Sequence, residues 1–321
     1  MSRPSRITVL FNTDYDAEAC ATDVISVETS ARAVATALTE SGFEVELIGL
    51  HGLEVLAVID QVRAAAPDLV FNLCESMAGN PCNEPTFVGL LDLFGIPYTG
   101  ADLLALASCL HKQRAKDILI ARGIPTPPHR FLTDAAALDD PALDALDYPW
   151  FVKLAHEDAS VGITEANWVA TPAALRQRAR ELNVTLIGNA PDLQVLPLHE
   201  IDFSAMPADR PRIVSYAAKW NEDHVDYAGT KPVLLRDASP ALTAAVEQVA
   251  RAAWEALGLR DYGRIDLRVD AAGPWVIDVN PNPDISPDAG VARSAQIAGL
   301  SYPQLISRLA EVAYRRIRPA H

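Results

Sequence analysis

Residues 264–280 have the sequence RIDLRVDAAGPWVIDVN. Apolar and polar residues alternate along both halves of it, as expected of β-strands with one buried face. The alternating apolar residues are Ile265, Leu267 and Val269 in the first half and Trp275, Ile277 and Val279 in the second. Residues 270–273, Asp-Ala-Ala-Gly, have the composition of a turn. The stretch therefore predicts a β-hairpin.

The polar face of this hairpin has the residue types of a metal site. Because side chains alternate across a strand, Asp266, Asp278 and Asn280 can share one face. Two opposed carboxylates repel each other, whereas Mg²⁺ accepts one or two carboxylates together with substrate phosphates. Arg264 adds a planar cationic group suited to an anionic oxygen. The alternative is a solvated hairpin face, since the spacing alone is only moderately specific.

Composition limits the possible partners. A chain of 321 residues suggests two or three subdomains, and half of its residues are apolar. Charged residues make up 21%, with a net charge of −15. Such an acidic chain is a poor ligand for nucleic acid or an anionic membrane.

The cysteines and the N-terminus favour a reducing, cytoplasmic protein. None of the four cysteines has C-x-x-C spacing; Cys74 and Cys82 could pair, but nothing else suggests export. The first residues enter a strand without the features of a signal peptide. No segment has the length and apolarity of a membrane span.

The first third of the chain predicts a parallel α/β sheet, because short strands alternate with helices. The predicted strands are 7–11, 44–50 and 68–73, and the predicted helices are 24–40 and 53–65. Ligands of such sheets bind at the carboxyl ends of strands, here residues 12–14 and 74–81. Neither G-x-G-x-x-G after the first strand nor a P-loop motif is present. Further helices are predicted at 110–122, 240–257, 288–298 and 302–317, with strands between them.

Three lysines could neutralise phosphates. Lys153 lies within an apolar strand, Lys219 ends another strand, and Lys112 begins a helix. The loop with Ser160 and Gly162 could offer backbone N–H groups to a phosphate. Each feature alone could be an ordinary surface feature. Together with a two-carboxylate metal site they suit a triphosphate, whose transfer needs several positive groups.

The motifs, in their order along the chain, resemble ATP-grasp enzymes of the D-alanine–D-alanine ligase type. They are DLVFNL, GLLDLFGIPYTG, LHKQRAKDILIARGIPTP, FVKLAHEDASVGI, REL, KW and RIDLRVD…VIDVNPNP. The resemblance implies an ATP-grasp fold of three subdomains, α/β plus α+β. An N-terminal parallel α/β domain would span 1–108, a small lid subdomain 109–180, and a large subdomain with the metal hairpin 181–321.

The resemblance also implies a reaction. ATP phosphorylates a carboxylate, and an amine attacks the acyl phosphate to give an amide, ADP and phosphate. The implied ATP contacts are Lys112, Lys153, Ser160, Gly162, Glu181 (at the ribose) and Lys219; the implied metal ligands are Asp266, Asp278 and Asn280. Two Mg²⁺ ions are expected, with Mn²⁺ as a possible substitute, and Arg264 would steady the acyl phosphate or oxyanion. Family members are often dimers, so a homodimer is possible.

The amino-acid pockets depart from the family pattern. Asp23 is the nearest acidic residue to the expected ammonium-binding glutamate, and Cys74-Glu75 replaces a His-Gly pair. Asp284 stands where the family has a glycine, and Ser286 follows it. We therefore expect Asp23, Glu75, Asp284 and Ser286 to contact substrate, an acid and an amine other than two D-alanines.

A second departure precedes Arg180, where the family's adenine-binding strand has no counterpart. Either this strand is absent or the sequence lacks a segment; keeping a ribose glutamate without a base site makes little physical sense, which favours the second alternative. Two other functions stay open. The chain could form an acyl phosphate for a thiol or hydroxyl acceptor, or bind a nucleotide without catalysis.

Overall fold

The structure is a computed structural model that describes most of the chain. The described residues are 3–13, 21–78, 80–131, 150–151, 168–169, 180–207, 214, 224–270 and 272–318, with backbone alone at 21–26, 150–151, 168–169 and 180.

The N-terminal sheet has three parallel strands in the order β2-β1-β3. They are β1 (Arg6–Asn12), β2 (Glu44–Leu50) and β3 (Leu69–Leu73), connected through α1 (Ala21–Glu40) and α2 (Val55–Ala65). The predicted parallel α/β sheet is confirmed. Parallel strands bring their carboxyl ends to one edge, so Asn12 and the loop after Leu73 lie together.

Three helices follow: α3 (Glu84–Leu93), α4 (Leu103–Leu110) and α5 (Lys112–Ala121). The prediction of one helix over 110–122 was wrong at its start, because α4 ends at Leu110 and α5 begins at Lys112. Asp102 caps α4 by accepting a hydrogen bond from the Ala105 N–H at 3.0 Å. The sequence of α4, LLALASCL, is apolar on nearly every side and therefore lacks the periodicity that reveals a helix.

The second large sheet is antiparallel, with the order β11-β10-β6-β8-β9 and β7 paired to β6. Its strands are β6 (Arg180–Ile187), β7 (Gln194–Val195), β8 (His199–Asp202), β9 (Lys231–Leu234), β10 (Tyr262–Asp270) and β11 (Gly273–Asn280). A separate pair, β4 (Trp150–Phe151) and β5 (Trp168–Val169), precedes it. The remaining helices are α6 (Val225–Ala228), α7 (Pro240–Leu257), α8 (Gly290–Ile297) and α9 (Tyr302–Ile317).

Two hydrophobic clusters lie against this sheet, and one of them also includes residues of the N-terminal sheet. The inner face of α7, with Val246, Ala253 and Trp254, packs against the buried faces of β6, β10 and β11. The C-terminal helix α9 instead packs against α1, and its Leu305 and Leu309 share one cluster with Ile7 and Val9 of β1. The domain boundaries at 108 and 180 remain a prediction. Among the described helices, none combines the length and apolarity needed to cross a membrane.

Candidate functional site

The β10–β11 hairpin places the predicted metal ligands on one face. Asp266 lies directly opposite Asp278, and Arg264 lies opposite Asn280. A β-bulge follows this pair, since Leu267 is opposite Val276 and Ile277 is the extra residue. The predicted alternation of Trp275, Ile277 and Val279 is therefore wrong in its first half: Val276 and Val279 are the buried residues, and Trp275 and Ile277 are half-buried. The bulge lets Asp278 and Val276 point to opposite faces.

Three side chains donate hydrogen bonds to the Asp266 carboxylate, which is almost buried. Arg264 donates from Nε to Oδ1 at 2.8 Å and from Nη2 to Oδ2 at 3.0 Å. Asn280 donates from Nδ2 to Oδ2 at 3.2 Å, and Asn183 of β6 donates from Nδ2 to Oδ1 at 2.8 Å. The fork of Arg264 thus matches the carboxylate in the bidentate geometry that fixes both groups.

Arg264 places a positive charge among several carboxylates. Burial by itself would lower the pKa of Arg264, but the charge of Asp266, its hydrogen bonds and the charges of Asp278 and Asp284 raise that pKa above its ordinary value. The guanidinium therefore stays charged at any physiological pH and can face an anionic group without losing its proton.

Lys112 reaches the same face from the first turn of α5. Its Nζ lies 3.9 Å from Oδ1 of Asp278, and both side chains are partly exposed, at 15% and 24%. The prediction that a lysine opens this helix is confirmed. Lys112 and Asp278 thus put opposite charges side by side at an accessible edge of the hairpin.

The donor set fits a divalent cation. Asp266 and Asp278 come from facing strands, and Asn280 donates with its Nδ2, which leaves the amide oxygen as its metal-binding atom. Within the described part of the chain, no three His, Cys, Asp or Glu residues cluster closely enough to hold a metal by themselves. Two carboxylates and an amide instead match the Mg²⁺ sites that are completed by phosphate oxygens.

Glu181, the predicted ribose contact, is buried beside the same hairpin. It lies opposite Arg268 of β10, and its Oε2 is 2.6 Å from Nη2 of Arg268. The Arg268 guanidinium in turn lies over the ring of Phe203, 5.5 Å from its centroid. This ion pair occupies one oxygen of Glu181 and fixes the side chain on the face that also carries Asp266.

The first domain contributes the loop after β3. Asn12, at the end of β1, accepts the Glu75 N–H at 2.8 Å and donates from Nδ2 to the Ser76 carbonyl at 2.5 Å. Both segments expected at the carboxyl ends of the strands thus meet, and Glu75 is exposed there. Asp23 lies in α1, where only the backbone is described.

The segment after Asn280 is attached to this domain through Asn282. Its Nδ2 donates to Oε1 of Glu84 at 3.1 Å, and its Oδ1 accepts the Ala101 N–H at 3.1 Å. Asp284 is exposed, and its Oδ1 accepts from both the N–H and the Oγ of Ser286, at 2.8 and 2.7 Å. The two predicted substrate residues of this loop therefore form one local turn.

Four predicted ATP contacts lie outside the described residues: Lys153, Ser160, Gly162 and Lys219. Two contacts of the described site were missed by the sequence analysis. Asn183 follows the Arg-Glu-Leu motif but gives no local signal, because its partner Asp266 lies on another strand. Asn282 lies in the NPNPD segment, where a second asparagine two residues after Asn280 was the available hint.

The chain is similar to known proteins in sequence and in fold. A family described as D-ala D-ala ligase C-terminus matches residues 173–311. D-alanine–D-alanine ligase from Chromohalobacter salexigens is 31% identical over 284 residues, covering 84% of this chain and 82% of that protein. The same-named enzyme of Rhodospirillum rubrum is 29% identical over 299 residues, covering 88% and 92%.

A solved structure has the same overall fold. D-alanine–D-alanine ligase from Bacillus anthracis, crystallised with ATP, superposes with a TM-score of 0.75 at 22% identity and covers 99% of both chains. On the basis of its fold and of these sequence similarities, this chain belongs to the D-alanine–D-alanine ligase family of ATP-grasp enzymes, which are ADP-forming ligases that make carbon–nitrogen bonds.

Proposed function

We propose that this chain uses ATP and Mg²⁺ to join the carboxylate of one amino-acid-like molecule to the amine of another, by way of an acyl phosphate. The observation that carries the proposal is the opposed pair Asp266 and Asp278, with Arg264 and Lys112 beside it. The two carboxylates supply negative charge for a cation, and Arg264 and Lys112 supply positive groups for phosphate oxygens.

In this proposal the oxygens of Asp266, Asp278 and Asn280 would hold Mg²⁺, with two ions expected. When bound, the cation would neutralise phosphate oxygens and keep the nucleotide in line with the carboxylate. Lys112 contacts a phosphate, and Lys153, Ser160, Gly162 and Lys219 are proposed as further nucleotide contacts. Glu181 is proposed to bind the ribose through the oxygen that faces away from Arg268.

Arg264 is proposed as the residue that steadies charge on the reacting carboxylate. Its guanidinium is held by Asp266 on one side, so that its position does not need to be organised when negative charge develops. Its raised pKa keeps the group cationic throughout the reaction.

We further propose that the substrates are not two D-alanines. Glu75 and Asp284 are exposed carboxylates where the family pattern has His-Gly and glycine, and Asp23 and Ser286 complete the proposed substrate contacts. An added carboxylate repels a substrate carboxylate and attracts a positively charged group. We therefore expect at least one substrate to carry an amino or guanidino group in addition to its α-amino group.

The test is an assay of ADP and phosphate release with pairs of amino acids, including D-alanine alone and basic amino acids with neutral partners. The proposal predicts release that needs Mg²⁺, an acid and an amine together, and an amide product by mass spectrometry. Rapid turnover with D-alanine alone would overturn the substrate proposal. ADP release that never requires an amine would overturn amide formation itself and favour another acceptor.

A further inference from the structure

Among the described hydrogen-bond partners of Asp266, Asn183 is the one to which the proposed reaction assigns no role. It lies on β6, directly opposite Asp266 of β10, and its Nδ2 is 2.8 Å from Oδ1 of Asp266. Its neighbours Leu182 and Val184 are fully buried, so the backbone that carries the amide is anchored in the core. The donor therefore reaches the carboxylate from a rigid position.

The other two donors have competing roles. Arg264 is proposed to face the reacting carboxylate, and Asn280 is proposed to turn its amide oxygen to the cation. Oδ1 of Asp266 accepts the two shorter bonds, from Asn183 and from Nε of Arg264, both at 2.8 Å, whereas the bonds to Oδ2 are longer, at 3.0 and 3.2 Å. Oδ2 is therefore the oxygen that a cation can reach with less loss of hydrogen bonding. Asn183 donates from a third strand, on the side of Asp266 opposite to β11.

We propose that Asn183 is a positioning residue for the metal site: it holds one oxygen of Asp266, so that the other stays directed toward the cation. The inference rests on the proposed function, because it assigns Asp266 to the metal. Residues that orient metal ligands commonly change metal affinity or activity about 10- to 100-fold when they are replaced.

Asparagine suits this task for reasons of charge and length. An aspartate at the same position would oppose a second carboxylate to Asp266 and repel it. A leucine has a similar size and no donor. Asn183→Leu thus removes the hydrogen bond and keeps the number and branching of the side-chain heavy atoms.

The experiment measures binding of Mn²⁺ in the presence of ADP, by electron paramagnetic resonance, to the full chain. We expect Asn183→Leu to raise the Kd for Mn²⁺ about 10- to 100-fold. Excess Mg²⁺ should then restore much of kcat, because the variant binds the metal more weakly and a higher metal concentration refills the site. Thr185→Val serves as the matched control, since Thr185 is a buried polar residue on the same face of β6, opposite Arg264. Thr185 donates no hydrogen bond to a proposed metal ligand among the described contacts, so this variant should leave the Kd for Mn²⁺ within about twofold.

The outcomes separate this inference from the proposed function. If the wild-type protein binds Mn²⁺ and Asn183→Leu binds it with the same Kd, the positioning role is wrong and the metal site stands. If the wild-type protein itself binds no Mn²⁺, both fail. Should Asn183→Leu not fold, the pair Asn183→Gln and Asn183→Ala decides. The glutamine variant keeps an amide donor long enough to reach Asp266, so it must bind Mn²⁺ more tightly than the alanine variant, and equal affinities would overturn the inference.

Discussion

At the scale of single residues, Asp266 and Asp278 differ in burial and in the number of side chains that they contact. Asp266 is nearly buried and accepts hydrogen bonds from three side chains, whereas the side chain of Asp278 is 24% exposed beside Lys112. A more exposed carboxylate loses less hydration on binding a cation and is more easily reached by a phosphate. We therefore expect Asp278 to contribute strongly to activity without supporting the fold.

Replacing Asp278 tests this expectation. Asp278→Ala should lower kcat by about 10³-fold, because it removes a proposed ligand and the charge that balances Lys112. The matched control is Asp270→Ala at the turn of the same hairpin, where the carboxylate accepts from the Trp275 indole at 3.0 Å and is exposed. Its activity should equal that of the wild type in the ADP-release assay. Similar losses in both variants would contradict a specific role for Asp278.

His199 provides a prediction on pH. Burial lowers its pKa from the ordinary value of 6.5; the Pro197 carbonyl opposes this shift, and Arg293 adds to it. The facing group on α8 is Ser294, whose Oγ lies 2.9 Å from Nδ1. The folded protein thus binds a proton on His199 less readily than the unfolded chain, so this contribution to stability is present above pH 6.5 and is lost as the pH falls below it.

The measurement compares the urea midpoints of unfolding at about pH 7.5 and about pH 5, which lie at least about one pH unit above and below the ordinary histidine pKa. The wild-type midpoint should fall more between the two pH values than the midpoint of His199→Gln, which cannot be protonated. Equal decreases in the two proteins would show that His199 does not contribute to the acid sensitivity of the fold.

The Asn183–Asp266 contact shows why single residues of the site escaped the sequence analysis. The Arg-x-Asp and Asp-x-Asn patterns identify Asp266 and Asp278 because each motif lies within one strand. Asn183 joins them only through the register of β6 against β10, which is set by long-range packing and not by local pattern. The same holds for Glu181, whose pairing with Arg268 arises from that register.

At the scale of elements, the loop after β11 depends on one close approach. Gly100 adopts a φ of +91°, and a Cβ on it would collide with the Oδ1 of Asn282. Because that oxygen accepts the Ala101 N–H, the Thr99-Gly100 turn and the segment after Asn280 fit together only with glycine at this position.

Gly100→Ala should therefore cost about 1–3 kcal/mol of unfolding free energy through backbone strain alone and should also weaken binding of the nucleotide–metal pair, since Asn282 follows Asn280 closely. Gly290→Ala, at the other end of the same loop, has open space around the added methyl group and should be neutral within about 0.5 kcal/mol. Chemical denaturation of both variants provides the measurement. A neutral Gly100→Ala variant would refute the close approach.

Some helices and strands could be predicted from their own sequences and others could not. Helix α7 follows its prediction residue by residue because Ser239 caps it, Pro240 opens it and Gly258 ends it. Helix α4 was missed because an apolar run has no period, and the bulge at Ile277 was missed because a single extra residue leaves an alternating pattern nearly unchanged. Capping residues are local signals, whereas bulges depend on the partner strand.

At the scale of the whole molecule, Asp261 connects three separate segments. It is fully buried, and its carboxylate accepts from Arg316 of α9, from Asn189 after β6 and from the N–H of Gly100. Arg316 also donates to the Tyr98 carbonyl at 2.9 Å. The C-terminal helix is thereby tied both to the first domain and to the start of β10, close to the proposed active site.

Removing this connection should destabilise the molecule as a unit. Arg316→Ala leaves the buried Asp261 carboxylate without its cation and should lower the unfolding free energy by about 3 kcal/mol. Its neighbour Arg315 is exposed on the same helix, so Arg315→Ala should change it by less than about 0.5 kcal/mol. Thermal and urea unfolding of the two variants make the comparison, and equal stability would mean that the Asp261 cluster does not hold the domains together.

The sequence predicted the type and order of the secondary-structure elements better than it predicted which elements pack against each other. Alternating strands and helices indicated the parallel sheet, and the motif order indicated the ATP-grasp fold, both of which are confirmed. The packing of α9 on α1 could not be predicted, because an amphipathic helix shows which face is buried and not what covers it.

An acyl phosphate formed by this chain can be trapped with hydroxylamine in the presence of ATP and Mg²⁺. If this chain transfers the terminal phosphate of ATP to a carboxylic acid at the Asp266–Asp278 pair, hydroxamate should form in step with ADP and should vanish in Asp278→Ala. Release of AMP and pyrophosphate in place of ADP, or ADP without hydroxamate for every acid that supports turnover, would contradict it.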